Sequence, residues 1–381
     1  MPLLLFSFLL HAYVGVRLLP GLSQWPVAQV MLGLVLLVST ALMPLGLTAR
    51  RIMSQPLSDR VAWTGMLFMG LFSSLFVLTL LRDAALLLAM AVLAFAPDAF
   101  PFEAVASSSA ALVPVAGLLM SLVGFFNARR TAAVVRVDVP IKDLPDALNG
   151  FSIAQISDIH VGPTIKHGYL QAIVHAVNRL QANVVAVTGD LVDGTVAELA
   201  HHVAPLAGLS STHGTYFVTG NHEYYSGAHA WIVELQRLGI RVLMNEHVVL
   251  QHGEVHAQQA LVLAGVADYS AGHFDVNHRS DPHAAMKGAP QAASVKVLLA
   301  HQPRSAAAAE QAGFDLQLSG HTHGGQFWPW NFFVRFQQPF TAGLNRLQNL
   351  WVYTSRGTGY WGPPKRFGAP SEITHLRLVR A

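Results

Sequence analysis

The sequence predicts an α/β domain preceded by an all-α transmembrane helical region. Three observations carry this. The front third is nearly free of charge: in a chain with 24 Lys and Arg and 21 Asp and Glu, residues 1–127 hold only Arg17, Arg50, Arg51, Asp59, Arg60, Arg82, Asp83, Asp98 and Glu103. Behind it, short β-rich runs alternate with helical stretches, the pattern of strands covered by helices. Histidine is equally lopsided, since of 19 only His11 precedes residue 128. The expected division is a helical region at 1–128, a linker and first strand at 129–150, and the α/β domain at 151–381.

The chain has 381 residues and is only 12% charged, where a soluble globular chain carries about 25%. The shortfall excludes disorder and points to a bilayer. A crossing takes roughly 20 apolar residues, and four spans are expected near 2–19, 27–47, 61–81 and 105–127. Residues 84–97 are apolar but few. They extend the third helix, lie at the interface or make a fifth span. Arg82 and Asp83 read as the end of the third span. The first segment lacks a basic n-region and a small-residue cleavage site, so it reads as a membrane helix and not a signal peptide. Arg50, Arg51 and Arg60 put the loop at 48–60 in the cytoplasm. With four spans, Arg129, Arg130 and the back domain share that side; a fifth span reverses it. Zero Cys excludes a disulfide scaffold, thiolate zinc fingers and a Cys nucleophile. A net charge of +3 without a basic, aromatic-interleaved stretch gives no reason to expect nucleic acid.

In the back domain strands are expected at Phe151–Ser157, Val184–Thr188, Thr215–Thr219, Leu261–Val266, Val295–Ala300, Asp315–Ser319 and Leu350–Tyr353. Helices are expected at His167–Leu180, Val196–Leu206, His229–Leu238 and Ser305–Ala312. Residues 267–291 read as a polar surface loop, bare or with one helical turn. Its His273, His278 and His283 have no ligand spacing, which argues against a metal role.

Five motifs sit just beyond predicted strands: Asp158-Ile-His160, Gly189-Asp190-x-x-Asp193-Gly194, Gly220-Asn221-His222-Glu223, His301, and Gly320-His321-Thr-His323-Gly-Gly325. Carboxylate and imidazole are ligands that Mn, Fe, Zn and similar divalent ions accept. One ion needs three or four such groups. Seven are present (Asp158, His160, Asp190, Asn221, His301, His321 and His323), which suits two ions sharing a bridging carboxylate. Such a pair, about 3.5–4 Å apart, serves in-line displacement at phosphorus. A lone D-x-H occurs by chance; five motifs in order, each after a strand, do not.

This set resembles the calcineurin-like metallophosphoesterases, and the membrane-anchored bacterial branch in particular. Residues 144–150, Gly320–Gln326 and Ser355–Gly359 look like that branch too. The resemblance covers about 131–380, with every ligand position filled. It implies a four-layer α/β/β/α sandwich and a dinuclear centre between the sheet ends. Asp158, His160, Asp190 and His323 would hold the first metal, Asp190 would bridge, and Asn221, His301 and His321 would complete the second site. His222 would be a catalytic, non-ligand imidazole oriented by Asp193. This agrees with the general rule that an acid imidazole has its second nitrogen held by a carboxylate. The implied reaction is attack by a metal-bridging hydroxide on a phosphomonoester, phosphodiester or pyrophosphate. For Glu223 a supporting role competes with that of a surface or helix-start carboxylate.

Tethering makes a lipid-linked phosphorylated substrate attractive, beside a soluble one. The aromatic run Phe327, Trp328, Trp330, Phe332, Phe333, Phe336 and Phe340 reads either as a lipid-facing lip or as a loop folded on its own core. Arg335, Lys365 and foremost Arg356 and Arg366 are substrate-binding candidates, with ordinary surface charge the competing reading. The alternative for the whole chain is a membrane receptor or scaffold that keeps the fold without the reaction. A transporter is disfavoured, because the front third has few polar groups to line a path.

Overall fold

The computed structural model describes residues 2–254 and 256–381. The chain divides into two compact units, Met1–Asn127 with Gly362–Phe367, and Ala128–Trp361 with Gly368–Ala381.

The first unit is built on helices α1 (Pro2–Leu18), α2 (Pro26–Ile52), α3 (Leu57–Phe95) and α4 (Phe102–Arg129). The last three are long and apolar enough to cross a membrane, while α1 has 17 residues. Helix α3 runs unbroken for 39 residues, about 58 Å at 1.5 Å per residue, against a hydrocarbon core of about 30 Å. The apolar run from residue 84 therefore lengthens the third helix, one of the three outcomes expected for it, and Arg82 and Asp83 lie within the helix. No Gly or Pro occurs between Gly70 and Pro97, and Ala and Leu dominate the stretch, so nothing breaks the helix. Asp83 accepts hydrogen bonds from Tyr13 Oη and Arg17 Nε, both at 2.7 Å. Arg82 donates to Ala106 O at 2.8 Å and Ser109 Oγ at 3.0 Å. These bonds tie α1, α3 and α4. Val14, Leu18, Leu36, Phe72, Leu75, Ala110 and Val113 form the apolar centre. Helices α2 and α3 touch backbone to backbone: a Cβ on Gly65 would lie 2.6 Å from Leu42 O and 2.7 Å from Gly46 Cα. Segment Gly362–Phe367 belongs to this unit. Lys365 Nζ donates to Gly70 O at 2.7 Å and Ser74 Oγ at 2.5 Å, and Arg366 N donates to Gly124 O at 2.8 Å.

The second unit runs β1 (Ala133–Ile141), β2 (Ser152–Ile156), α5 (His167–Asn178), β3 (Val184–Val187), α6 (Val196–Val203), β4 (Thr215–Phe217), α7 (Asn221–Ser226), α8 (Ala228–Arg237), β5 (Arg241–Val242), β6 (Glu246–His252), β7 (Gln259–Gly265), α9 (Pro282–Met286), β8 (Val295–Leu299), α10 (Ala306–Gln311), β9 (Leu316–Ser319), β10 (Gly343–Leu347), β11 (Leu350–Thr354) and β12 (Glu372–Arg380). Two six-stranded mixed sheets result, ordered β1-β12-β2-β3-β4-β5 and β10-β11-β9-β8-β7-β6. Side-chain alternation along β7 shows the layering. Leu261 and Leu263 enter the core between the sheets with Ile153, Val184, Val297 and Leu376, whereas Val262 and Ala264 turn outward onto Ala306 and Ala309 of α10. Helices α5, α6 and α8 pack in series beside the first sheet, α9 and α10 against the second. This is the expected α/β/β/α sandwich.

All seven expected strands form. Helix α6 stops at Val203 and not at Leu206, because Pro205 lacks an N–H and the chain tightens into a 3₁₀ turn, Ala204–Gly208. Strands β5, β6, β10 and β12 and the short α7 had no counterpart in the sequence reading, whereas α9 is the one helical turn allowed for in the loop at 267–291. Strand β12 pairs parallel with β1 and antiparallel with β2, joining the two ends of the unit in one sheet.

Candidate metal centre

Parallel strands end at one edge of each sheet, and each motif leaves such an end: Asp158 and His160 after β2, Asp190 after β3, Asn221 after β4, His301 after β8, and His321 and His323 after β9. The turns are sharp. Asp158, His160, Asp190, His321 and His323 all have φ between 51° and 69°, a left-handed conformation that costs a non-glycine residue on the order of 1 kcal/mol or more. Five such residues in one place hold side chains where relaxed backbone would not aim them. Gly189, at φ 82°, allows the closest approach, since a Cβ there would lie 2.6 Å from Gly220 N and 2.8 Å from His301 Nδ1.

The structure brings six of the seven ligand-type residues together as two groups, and the seventh, Asn221, opens α7 directly after β4. Asp158, His160 and His323 form one, Asp190, His301 and His321 the other, each with its donor atoms within 4.8 Å of one another. Asp190 joins them, its Oδ2 lying 3.1 Å from His301 Nε2 and 4.0 Å from His160 Nε2. Asp158, Asp190 and His301 are buried.

The donor set fits divalent cations on three counts. His160 Nδ1 faces Asp193 Oδ1 at 3.2 Å, and His301 Nδ1 lies 2.7 Å from Thr188 O. With the hydrogen on Nδ1, each ring would offer its Nε2 lone pair to a metal. Those lone pairs confront other nitrogens, His160 Nε2 meeting His323 Nε2 at 3.0 Å and His301 Nε2 meeting His321 Nδ1 at 3.2 Å. A neutral tautomer of His323 or His321 can donate across such a pair, and a divalent cation can take both nitrogens as ligands. Finally, Asn221 Oδ1 is buried with no hydrogen-bond partner, and a stranded buried carbonyl costs about 1–3 kcal/mol.

His222 stands beside these groups. Its Nδ1 lies 2.6 Å from Asp193 Oδ1 and its Nε2 4.0 Å from Asp190 Oδ2, while its ring stays partly open to solvent. Burial opposes charge on this imidazole, but the Asp193 hydrogen bond and the Asp190 and Asp193 charges outweigh it and raise its pKa to about 9. Burial likewise works against the Asp193 carboxylate, yet His160 and His222 hold it well below the usual range.

Glu223 is no surface carboxylate. It is fully buried, and its two oxygens accept from four backbone N–H groups: Gly220 at 2.6 Å, Leu191 at 2.8 Å, Asp190 at 3.0 Å and Val192 at 3.3 Å. It fastens the β3 turn to the β4 turn, and its burial together with the Asp190 charge raises its pKa to about 7. Its helix-start position was legible; its reach across to a second turn was not. Of the cations, Arg356 pairs with Glu372 at 2.9 Å with its side chain partly exposed, whereas Lys365 and Arg366 are buried and counted with the helical unit. Solvent therefore does not reach the Arg366 candidate. The aromatic run divides. Phe327 is buried and Phe340 packs on the outer core, while Trp330, Phe332, Phe333 and Phe336 are exposed.

The profile of the calcineurin-like phosphoesterase family matches residues 151–325. An uncharacterized metallophosphoesterase of Helicobacter pylori is 36% identical over 269 residues, 69% of this chain and 70% of that protein. The chain belongs to the calcineurin-like metallophosphoesterases. Two further metallophosphoesterases, from Bos taurus and Danio rerio, are each named a transmembrane protein with metallophosphoesterase domain. The first is 41% identical over 71% of this chain, the second 38% over 73%, and the chain spans 62% and 65% of their lengths. With three helices able to cross a bilayer, this metallophosphoesterase is a membrane protein.

Proposed function

We propose that the chain is a multi-pass membrane phosphohydrolase with two divalent cations at the joined groups, cleaving a phosphoester or pyrophosphate. The observation that carries this is the shared carboxylate: Asp190 stands between two histidine-bearing groups, with a carboxylate-held imidazole, His222, just outside them.

Asp158, His160, Asp190 and His323 would hold one cation, and Asp190, Asn221, His301 and His321 the other. When bound, the cations supply Lewis acidity and lower the pKa of water. The protein's own work is positional and protonic. Asp193 fixes the His222 ring by its Nδ1, leaving the Nε2 hydrogen directed at the cluster. There it can hydrogen-bond a phosphoryl oxygen or pass to the departing oxygen, a role worth about 10²–10⁴ in rate. Glu223 keeps the turns bearing Asp190 and Asn221 together. Asp190→Ala or His301→Ala abolishes metal-dependent hydrolysis of a chromogenic phosphodiester, and chelator abolishes it in the unaltered protein. Full activity in either variant refutes the site, and no hydrolysis by the Mn-loaded protein favours a scaffold.

The substrate class we favour is a phosphorylated lipid. The support is the exposed set Trp330, Phe332, Phe333 and Phe336, which follows the His323 motif within thirteen residues; Trp favours the membrane interface, and Trp and Phe together make apolar faces that lie in it. A hydrolysis screen on lipid extract against soluble nucleotides tests it. Four crossings put residues 48–60 and the phosphoesterase domain in the cytoplasm, which a C-terminal reporter fusion tests.

A further inference from the structure

A second histidine cluster lies in the α/β unit and shares no residue with the first. His229, on the first turn of α8, directs Nε2 at Asp275 Oδ2, 3.0 Å away. His278 Nε2 lies 4.0 Å from the same oxygen. All three donor atoms fall within 4.8 Å of one another. Sequence spacing hides the set, because His229 is far along the chain from Asp275 and His278.

Two imidazoles and a carboxylate are a complete protein complement for an open zinc site. Around a tetrahedral Zn²⁺ with bonds of about 2.0–2.1 Å, ligand atoms stand about 3.4 Å apart, between the two separations seen here. Adjustment is easy, since 73% of the His229 side chain is exposed. The outer contacts suit a ligand too. His278 Nδ1 lies 2.9 Å from Tyr224 Oη. An Nδ1 hydrogen given to that oxygen leaves the Nε2 lone pair facing Asp275, the arrangement metal-binding histidines use. Asp275 is oriented through its other oxygen, which accepts from Asn277 N at 2.9 Å.

We propose that His229, Asp275 and His278 form a peripheral Zn²⁺ site that clamps the polar segment 267–281 to the start of α8. The clamp has a neighbour of consequence. Phe274, in the clamped segment, packs on Tyr224 and Tyr225 with ring centroids 5.6 Å away, and Tyr225 lies 5.2 Å from the His222 ring. Zinc at this point fixes the wall beside His222 without touching the Asp190 groups, so the inference stands apart from the hydrolase reading.

The test uses the full chain in detergent, saturated with Mn²⁺ and then dialysed against Zn²⁺. Bound zinc is measured by mass spectrometry and backbone exchange by deuterium uptake. The unaltered protein holds one more Zn²⁺ per chain than His229→Ala or Asp275→Asn, and its 267–281 peptides exchange more slowly with zinc than without. Tyr224→Phe, which removes the orienting oxygen, weakens uptake about tenfold. Equal zinc in the unaltered protein and both variants overturns the site. Extra zinc without slowed exchange overturns the clamp.

Discussion

His222 and Glu223 are adjacent in sequence and differ in kind, and substitution separates them. His222→Ala removes a proton donor and little else. Turnover of a substrate with a poor leaving group falls about 10²–10⁴-fold, while one with an acidic, readily departing phenol falls far less; steady-state rates over a leaving-group series check this. Glu223→Ala strands four buried N–H groups. At about 1–3 kcal/mol for each unsatisfied group, the α/β unit loses about 4 kcal/mol or more, read as a fall in thermal midpoint for the Mn-loaded protein. The seven ligand-type residues were legible because each follows a strand end, where a short motif stands out. Glu223 was not, because a carboxylate three residues into a helix start looks the same whether it caps its own helix or also crosses to another turn. The His229 set was hidden by the same blindness to distance.

Elements fail in their own ways. Gly65 lets α2 and α3 meet at backbone contact, and Gly65→Leu has no room at Leu42 O and Gly46 Cα. Overpacking of about 1–3 kcal/mol is expected as a drop in monodisperse protein recovered from membranes. In the α/β unit, His213 Nε2 lies 3.1 Å from His252 Nδ1, at the end of β6, with Phe151 against both rings. Burial, then the nearby His252 charge, lowers the His213 pKa. The unfolded chain takes up that proton first, so stability is complete above the ordinary value of 6.5 and declines as pH falls below it. His252→Gln should flatten the loss of denaturation midpoint between pH 7 and 5.5. Strands with two buried faces were legible from their apolar runs. Strand β12 was not, because its parallel partner β1 lies at the other end of the unit, and no local pattern announces so distant a pairing. For helix α3 the sequence left the extension past residue 84 open, because two charges look like an interface; the helix runs on through them, and Tyr13 and Arg17 satisfy Asp83 within the helical unit.

At the scale of the molecule, the proposed cations hold the α/β unit together as well as reacting. Chelation should lower the unit's thermal midpoint, because His160 and His323, and His301 and His321, are left with nitrogens face to face. The Asp190→Ala variant should show a smaller chelator shift. The helical unit, for its part, is not a contiguous stretch of polypeptide. Its six-residue contribution from Gly362–Phe367 arrives after the sandwich is nearly complete in sequence. Excising a fragment from residue 128 onward therefore amputates the glycines and serines that receive Lys365 and Arg366, and turns a buried strap into a loose cationic flap. The α/β unit cut out in this way keeps a stretch of sequence that belongs to the other unit, and a soluble version needs that flap replaced with a neutral turn.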